Sequence, residues 1–320
     1  MTYLFAPMEG LTGRVYRRVH RRFYPGVDRY YAPFYSPTAD QHFNPKSMTE
    51  LQPTENPGVP LVPQLLTNRA PDFLWAAAAL GDLGYREVNL NLGCPSGTVV
   101  AKRKGAGFLG LPEELDAFLE AVFSSPVISG LRISVKTRLG LRDPAEFPAL
   151  LDIFRKYPIS LLIVHPRVRT DMYTGPVKPD CFAAAKAACP FPLAWNGDLF
   201  TPADVAALLS RFPDTDTLML GRGLIAEPGL VDRIRTGEAC DRDRLKAFHD
   251  ALCAEYRSVL YGDTALCHRM KELWAYLIRH FEDDGRHFKR LCKATSCREL
   301  MLAAEAVFAE LPLLPDAKWS

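Results

Sequence analysis

The sequence predicts an α/β protein: a (β/α)8 TIM barrel over residues 1–237, followed by a small all-α C-terminal domain over 241–320. Three observations carry that reading. Eight short apolar runs alternate with helical segments, which is the signature of a closed parallel barrel rather than an open sheet. The strand pattern then stops, and only helical periodicity continues. Unusual polar residues, finally, fall at the carboxyl ends of the runs, the face on which barrels do chemistry.

The predicted strands are Tyr3–Ala6, Arg29–Ala32, Val59–Gln64, Glu87–Asn91, Ile133–Arg138, Leu161–His165, Pro192–Asn196 and Thr217–Gly221. The fourth is the clearest, because Val88 and Leu90 alternate with Asn89 and Asn91 at the period of a half-buried strand. Helical patterns span Ala70–Leu80, Pro112–Phe123, Pro144–Lys156, Cys181–Ala188 and Pro202–Ser210, several opened by an N-cap residue or an early proline. The link Phe34–Pro57 contains Pro37, Pro45, Pro53 and Pro57 and reads as partly irregular. Past a boundary at Glu238–Asp243, amphipathic helices are predicted over Arg242–Leu260, Ala265–Phe281, Arg286–Lys293 and Thr295–Leu311.

A hydrophobic content of 48% with 24% charged residues is that of a globular chain able to fill a full core, not of a disordered or fibrous one. The start Met-Thr-Tyr-Leu-Phe-Ala-Pro shows no signal peptide, and no apolar window is long enough to span a membrane. None of the eight cysteines forms a Cys-x-x-Cys pair, so neither a metal site nor a disulfide framework is expected. The expected compartment is the reducing cytoplasm, and a monomer is expected. A net charge of +2 is uninformative, but its distribution is not. Arg14, Arg17, Arg18, Arg21 and Arg22 crowd one helix. Arg286, Lys289, Arg290, Lys293 and Arg298 form an acid-free run whose first four members share a helix face. Such stripes are either solvated helix faces or the footprint of a phosphate-backbone binder.

The strand ends hold the candidate site. Cys94 sits between Gly93 and Pro95 at the end of the fourth run, with Lys102-Arg103-Lys104-Gly105-Ala106-Gly107 just behind it. A thiol beside an amide and ahead of a basic glycine loop reads as a proton donor at an anion site; a small inert packing cysteine is the plainer alternative. The other ends carry Pro7-Met8-Glu9-Gly10, Gln64, Asn91, Lys136-Thr137-Arg138, His165-Pro166-Arg167, Asn196-Gly197-Asp198 and Gly221-Arg222-Gly223. Barrels bind phosphate in the loops after strands seven and eight, where these glycines permit close backbone approach and Arg222 adds a bidentate donor. Lys136 is placed to stabilise negative charge on a bound ring, as at a flavin's N1/O2 edge. Gln64 both donates and accepts, which matches a pyrimidine-like edge.

The chain resembles the tRNA-dihydrouridine synthases. The resemblance runs through Ala6-Pro-Met-Glu-Gly10, Pro63-Gln-Leu65, Asn89-Leu-Asn-Leu-Gly-Cys-Pro95, Lys104-Gly-Ala-Gly107, Val135-Lys-Thr-Arg-Leu-Gly140, Val164-His-Pro-Arg167, Asn196-Gly-Asp198 and Leu220-Gly-Arg-Gly223. In the tail, Arg269-Met-Lys-Glu-Leu-Trp-Ala-Tyr276 is similar to that family's RNA-binding domain. The resemblance implies noncovalent FMN, NADPH as reductant, and reduction of the C5=C6 bond of a uridine in tRNA. Pro7 and Met8 would back the isoalloxazine, with Glu9 on the same cofactor side, and Gln64 would meet the pyrimidine edge. Lys136 and His165 would line the ring, and Asn196, Gly197, Asp198, Gly221 and Arg222 would surround the phosphate. Hydride from flavin N5 would add to C6, and Cys94 would protonate C5. Asn91 would hold the uracil, and Arg138 with Tyr173 would contact RNA near the base. Arg167, Lys271, Arg286, Arg290 and Lys293 complete the implied tRNA contacts, with the Arg14–Arg22 helix and the Lys102–Lys104 loop as further phosphate grips. The family's usual His-Gly-Arg-Thr is here His165-Pro166-Arg167-Val168, and proline removes a donor and fixes φ. Two other readings compete: an FMN barrel acting on a free pyrimidine, of the dihydroorotate dehydrogenase type, and a non-catalytic tRNA-binding barrel.

Overall fold

The computed structural model describes residues 1–38 and 40–319. Its strands are β1 (Thr2–Phe5), β2 (Arg29–Tyr31), β3 (Leu61–Val62), β4 (Gln64–Leu65), β5 (Glu87–Leu92), β6 (Arg132–Thr137), β7 (Leu162–Val164), β8 (Leu193–Asn196) and β9 (Thr217–Leu220). They pair in parallel in the order β3-β2-β1-β9-β8-β7-β6-β5-β4. β3 and β4 are the halves of one predicted strand, split at Pro63, which has no N–H to give a ladder. Because β3 pairs with β2 and β4 with β5, the broken strand closes the ring. The predicted eight-stranded barrel is therefore present, with one strand in two pieces.

Alternation along the strands separates two apolar sets. Leu4, Ala6, Tyr31, Val62, Ile163, Ala194 and Met219 form a cluster of their own. Their neighbours, such as Tyr3, Phe5, Leu162, Val164 and Leu218, belong to a larger cluster that takes in the surrounding helices. That larger cluster runs unbroken into Trp274, Leu300 and Phe308 of the C-terminal helices. Barrel and tail thus share one continuous apolar core.

The barrel helices Ala70–Asp82, Pro112–Phe123, Phe147–Phe154, Pro179–Ala188 and Pro202–Arg211 follow the predicted pattern, most with proline in the first turn. The link Phe34–Pro57 is more ordered than its prolines suggested. It contains a helix, Pro45–Leu51, whose first turn is capped by the Asn44 side chain accepting from the Ser47 N–H at 2.8 Å. The tail is helical over Arg242–Val259, Gly262–Leu277, Arg286–Lys293 and Cys297–Glu310. Beyond Leu311 the chain returns along Arg279–Glu282, where Glu282 N–H donates to Pro312 O, Leu314 N–H to His280 O and Lys318 N–H to Arg279 O. No helix of the described residues is long and apolar enough to cross a membrane.

The Arg14–Phe23 helix departs from expectation. Arg14 pairs with Glu55 at 2.5 Å, while Arg18 and Arg22 reach Glu255 of the tail at 2.8 and 3.1 Å. Arg21 donates to the carbonyls of Pro25 and Val27. Arg17 is fully buried and donates to Thr12 O, Glu50 O and Asn56 Oδ1 at 2.8, 2.9 and 2.8 Å. These arginines join the barrel to the tail and to the 44–56 segment, so the helix is a structural seam and not a phosphate grip. Arg17→Ala strands two buried acceptors, Thr12 O and Asn56 Oδ1, and is expected to cost about 2–4 kcal/mol in denaturant unfolding; a loss below about 0.5 kcal/mol would remove Arg17 from this role.

Candidate active site

The carboxyl ends of the strands open into a cavity of about 680 Å³ lined by Pro7, Met8, Glu9, Gln64, Asn91, Cys94, Lys136, Arg138, His165, Tyr173, Asn196, Gly197, Asp198, Gly221 and Arg222, among others. Most residues singled out from the sequence are therefore brought to one place. Arg167 lies just behind the wall, and Arg286, Arg290, Lys293 and Lys271 belong to the helical tail.

Cys94 is held from both sides. Asn91 Oδ1 accepts from the backbone N–H groups of Gly93 and Cys94 at 3.0 and 2.9 Å, and its amide nitrogen donates to Gln64 Oε1 at 2.8 Å. Gln64 in turn donates to Asn89 Oδ1, and Asn89 to Ser134 Oγ. Arg138 Nε donates to Gly93 O at 2.9 Å and its Nη1 to Val168 O at 3.1 Å. From below, Ala106 N–H donates to Cys94 O, and Gly105, at φ +56°, packs where a side chain would come within 3.1 Å of Cys94 Cβ. The sulfur is half-buried on the cavity wall. Burial pushes its pKa above the ordinary thiol value, against the pull of the Ser96 backbone, Arg138 and Lys136.

This network gives three of the expected contact residues partners within the chain. Asn91 spends its acceptor on the Cys94 turn and keeps one amide hydrogen, so it is first a clamp for the turn. Arg138 is buried and donates to two backbone carbonyls, those of Gly93 and Val168, while still lining the cavity. Arg167, also buried, binds Asp198 through both terminal nitrogens, at 2.9 and 2.5 Å, and Gly175 O through Nε, so its guanidinium is engaged within the chain.

Lys136 has no hydrogen-bond or ion-pair partner among the described residues. It is partly buried and lines the cavity. Burial, reinforced by the Arg138 cation, brings its pKa down to about 7. His165 is buried and its pKa is driven well below the ordinary histidine value, by burial first and then by the surrounding arginines and Lys136. Its Nε2 lies 3.1 Å from Arg167 Nη1; because arginine only donates, Nε2 is the acceptor and the ring proton sits on Nδ1. The Pro166 substitution leaves a tight turn, with Arg167 N–H donating to His165 O at 2.7 Å.

At the other end, Asp198 accepts from Arg167 and also from Arg222 Nη2 at 2.9 Å. Its carboxylate is neutralised twice over and orients both guanidiniums. The backbone N–H groups of Gly197, Asp198, Leu199 and Gly221 find no acceptor among the described residues. A side chain at Gly221 would press on Ala6, and one at Gly223 would collide with the Leu199 carbonyl, so this corner is shaped for close approach of backbone. Asn196 ties the two strands together, donating to Met219 O at 2.8 Å. Tyr173, half-exposed at the rim, lies 6.2 Å from the His165 ring and beneath the guanidiniums of Arg138 and Arg222 at 5.2 and 5.5 Å.

Of the tail residues, Lys271 donates to Ala294 O and caps the Arg286–Lys293 helix instead of standing free. Arg286 pairs with Asp284 at 2.7 Å. Lys289, Arg290, Lys293 and Arg298 are exposed and without a side-chain partner among the described residues. Reasoning from sequence missed Phe200, Tyr276, Arg279 and Trp319, which also line the cavity. Phe200 lies in the loop after β8, two residues past Asp198, and nothing in the periodicity of the tail marks the other three, since only its fold brings them to the barrel mouth.

The sequence model for the dihydrouridine synthase family (Dus) matches residues 4–308. The probable tRNA-dihydrouridine synthase 1 of Synechocystis is 32% identical over 246 residues, covering 73% of this chain and 66% of that protein. The tRNA-dihydrouridine(16) synthase of Pseudomonas putida is 27% identical, covering 97% and 99%. The tRNA-dihydrouridine synthase B of Klebsiella pneumoniae is 26% identical, covering 95% and 94%. Among solved structures, a morphinone reductase mutant in complex with tetrahydroNAD aligns with a TM-score of 0.53 at 12% identity, covering 74% of this chain and 86% of that one. An old yellow enzyme homologue from Zymomonas mobilis aligns with a TM-score of 0.54, also at 12% identity, covering 77% and 91%. These two share the barrel fold. With a family match across almost the whole chain and a site assembled from the motifs that span it, this protein belongs to the dihydrouridine synthase family.

Proposed function

We propose that this chain is an FMN-dependent tRNA-dihydrouridine synthase that takes reducing equivalents from NADPH and saturates the C5=C6 bond of a uridine in tRNA. The observation that carries this reading is the opening of the Cys94 thiol and the unpaired Lys136 ammonium onto one cavity, at whose far corner backbone N–H groups stand without partners.

The residues present fit a flavin mononucleotide. Gly197, Asp198, Leu199 and Gly221 would offer N–H groups to its phosphate, with Arg222 as the cation, and the doubly paired Asp198 carboxylate presents little repulsion. Pro7 and Met8 supply an apolar wall, and Met8 is fixed there because its carbonyl accepts from the N–H groups of Leu11 and Thr12 at 3.0 Å. Gln64 keeps one amide hydrogen for a ring edge, and Lys136 would answer negative charge on the ring. The chemistry that a bound FMN supplies is hydride delivery to C6 of the uracil.

The chain's own residues do the rest. Cys94 gives its proton to C5, where negative charge gathers as C6 is reduced. Its raised pKa keeps the sulfur protonated at neutral pH, which is the form a general acid needs. The thiolate left behind lies near Arg138 and Lys136, whose positive charge favours it, and solvent restores the proton. Asn91 and Arg138 fix the turn so that the S–H meets the base, and His165 Nδ1–H remains a donor. The target base must leave its stack to enter. The exposed cations Lys289, Arg290 and Lys293 suit a phosphate backbone, whereas a free pyrimidine substrate needs no such stripe.

Cys94→Ala should keep FMN and its reduction by NADPH while dihydrouridine formation falls by about 10²–10⁴-fold; turnover like the parent's would take the proton-donor role from this residue. Alkylation of Cys94 in flavin-free protein, followed peptide by peptide, should accelerate with pH and reach half-maximum above the ordinary thiol midpoint, since the raised pKa withholds the thiolate. Faster labelling of Cys94 than of exposed Cys292 at pH 7 would contradict that. The pair Arg290→Glu and Lys293→Glu should weaken tRNA binding about tenfold or more and flatten its salt dependence, with flavin reduction unchanged. Unaltered tRNA affinity would rule the stripe out.

A further inference from the structure

The corner of the cavity that holds Arg222 is closed by the C-terminal segment and not by the barrel. The Trp319 indole stacks on Phe200 with ring centres 4.0 Å apart and planes at 20°. Arg222 lies over both rings, 5.2 Å from Phe200 and 5.6 Å from Trp319. On the tail side, Arg279 lies 4.7 Å over the same indole. The indole therefore sits close to two guanidiniums, one from each part of the chain, and Arg222, Arg279 and Trp319 all line the cavity.

Two groups here have unspent capacity. Trp319 Nε1 is buried with no hydrogen-bond partner among the described residues, an uncommon and costly state for an indole N–H. Arg279 donates one bond, to Lys318 O at 3.2 Å, and has no carboxylate partner among the described residues. The segment is well tied down: Lys318 N–H donates to Arg279 O, Leu314 N–H to His280 O, and Asp316 pairs with Arg233 at 2.8 Å. A fixed cation near Arg222 and the unbonded N–H groups after β8 and β9 makes a site for an anion of more than one charge.

We infer that Arg279 and Trp319 are cofactor-binding residues: they complete the phosphate site of the flavin mononucleotide from the helical tail, Arg279 as a second cation and Trp319 as the clamp that spaces the two guanidiniums. This rests on the FMN reading above. It makes the tail one wall of the cofactor site, so that holding FMN and holding barrel and tail together are coupled.

The test titrates FMN and riboflavin, which lacks the phosphate, into flavin-free wild-type protein, Arg279→Gln, Trp319→Ala and Trp319→Phe, following flavin fluorescence. Arg279→Gln and Trp319→Ala should each raise the Kd of FMN about tenfold or more and leave that of riboflavin nearly unchanged. Trp319→Phe keeps an aromatic ring between the two guanidiniums, though a smaller one, and should give a smaller loss of the same kind. Unchanged FMN affinity in Arg279→Gln and Trp319→Ala overturns the inference, as does equal weakening of both flavins. Loss of tRNA affinity in Arg279→Gln with FMN binding intact assigns that cation to the RNA and overturns it too. A wild-type protein that binds neither flavin overturns the cofactor reading itself, a result distinct from any difference between variants.

Discussion

The side-chain amide of Asn91 is the point from which the site is built. Its oxygen takes two consecutive backbone N–H groups, those of Gly93 and Cys94, and so turns the end of β5 back across the barrel mouth. Arg138 seizes the Gly93 carbonyl, leaving neither polar group of that glycine free to relax. Since Asn91 is also roped through Gln64 to Asn89 and Ser134, the thiol is referenced to three neighbouring strands at once. A buried polar chain of this kind is worth its cost only when every member is satisfied, and here nearly all are.

Around that turn the cations follow a division of labour. Arg17, Arg138 and Arg167 are buried and spent on carbonyls or a carboxylate, which is how a protein tolerates charge in its interior. Lys136 is the exception. It is partly buried and unpaired, and its pKa is brought down to about 7, so it is poised to gain from any electron-rich ring edge placed against it. The same contrast separates the two arginine-rich faces: the first helix is tied down by Glu50, Glu55 and Glu255, while Lys289, Arg290 and Lys293 are left to solvent.

Much of the barrel was legible because strand alternation and parallel burial leave a local pattern, and all eight predicted strands have counterparts in the ring. The break at Pro63 and the helix after Asn44-Pro45 follow from proline chemistry, since Pro63 has no N–H for a ladder and Pro45 suits the first turn of a helix. Charge was harder. Arg18 meets Glu255 from 237 positions away, so the helix looked like an RNA grip only while its partner was out of sight. Asn91, Arg138 and Arg167 stand out in the sequence as ligand contacts, whereas the backbone groups and the carboxylate that also engage them are visible only in the fold. Arg279 and Trp319 left no trace at all, since only the return of the chain along Arg279–Glu282 carries the indole to Phe200.

The central claim is spatial: a flat ring and the Cys94 sulfur face each other across a gap that one nucleobase fills. A crystal structure of the FMN-loaded protein measures this directly. The account requires the isoalloxazine against Pro7 and Met8, with Sγ facing it from about 7 Å, room for one base in reacting contact on each side. A sulfur turned away from that gap, or a flavin seated elsewhere in the barrel mouth, would contradict it.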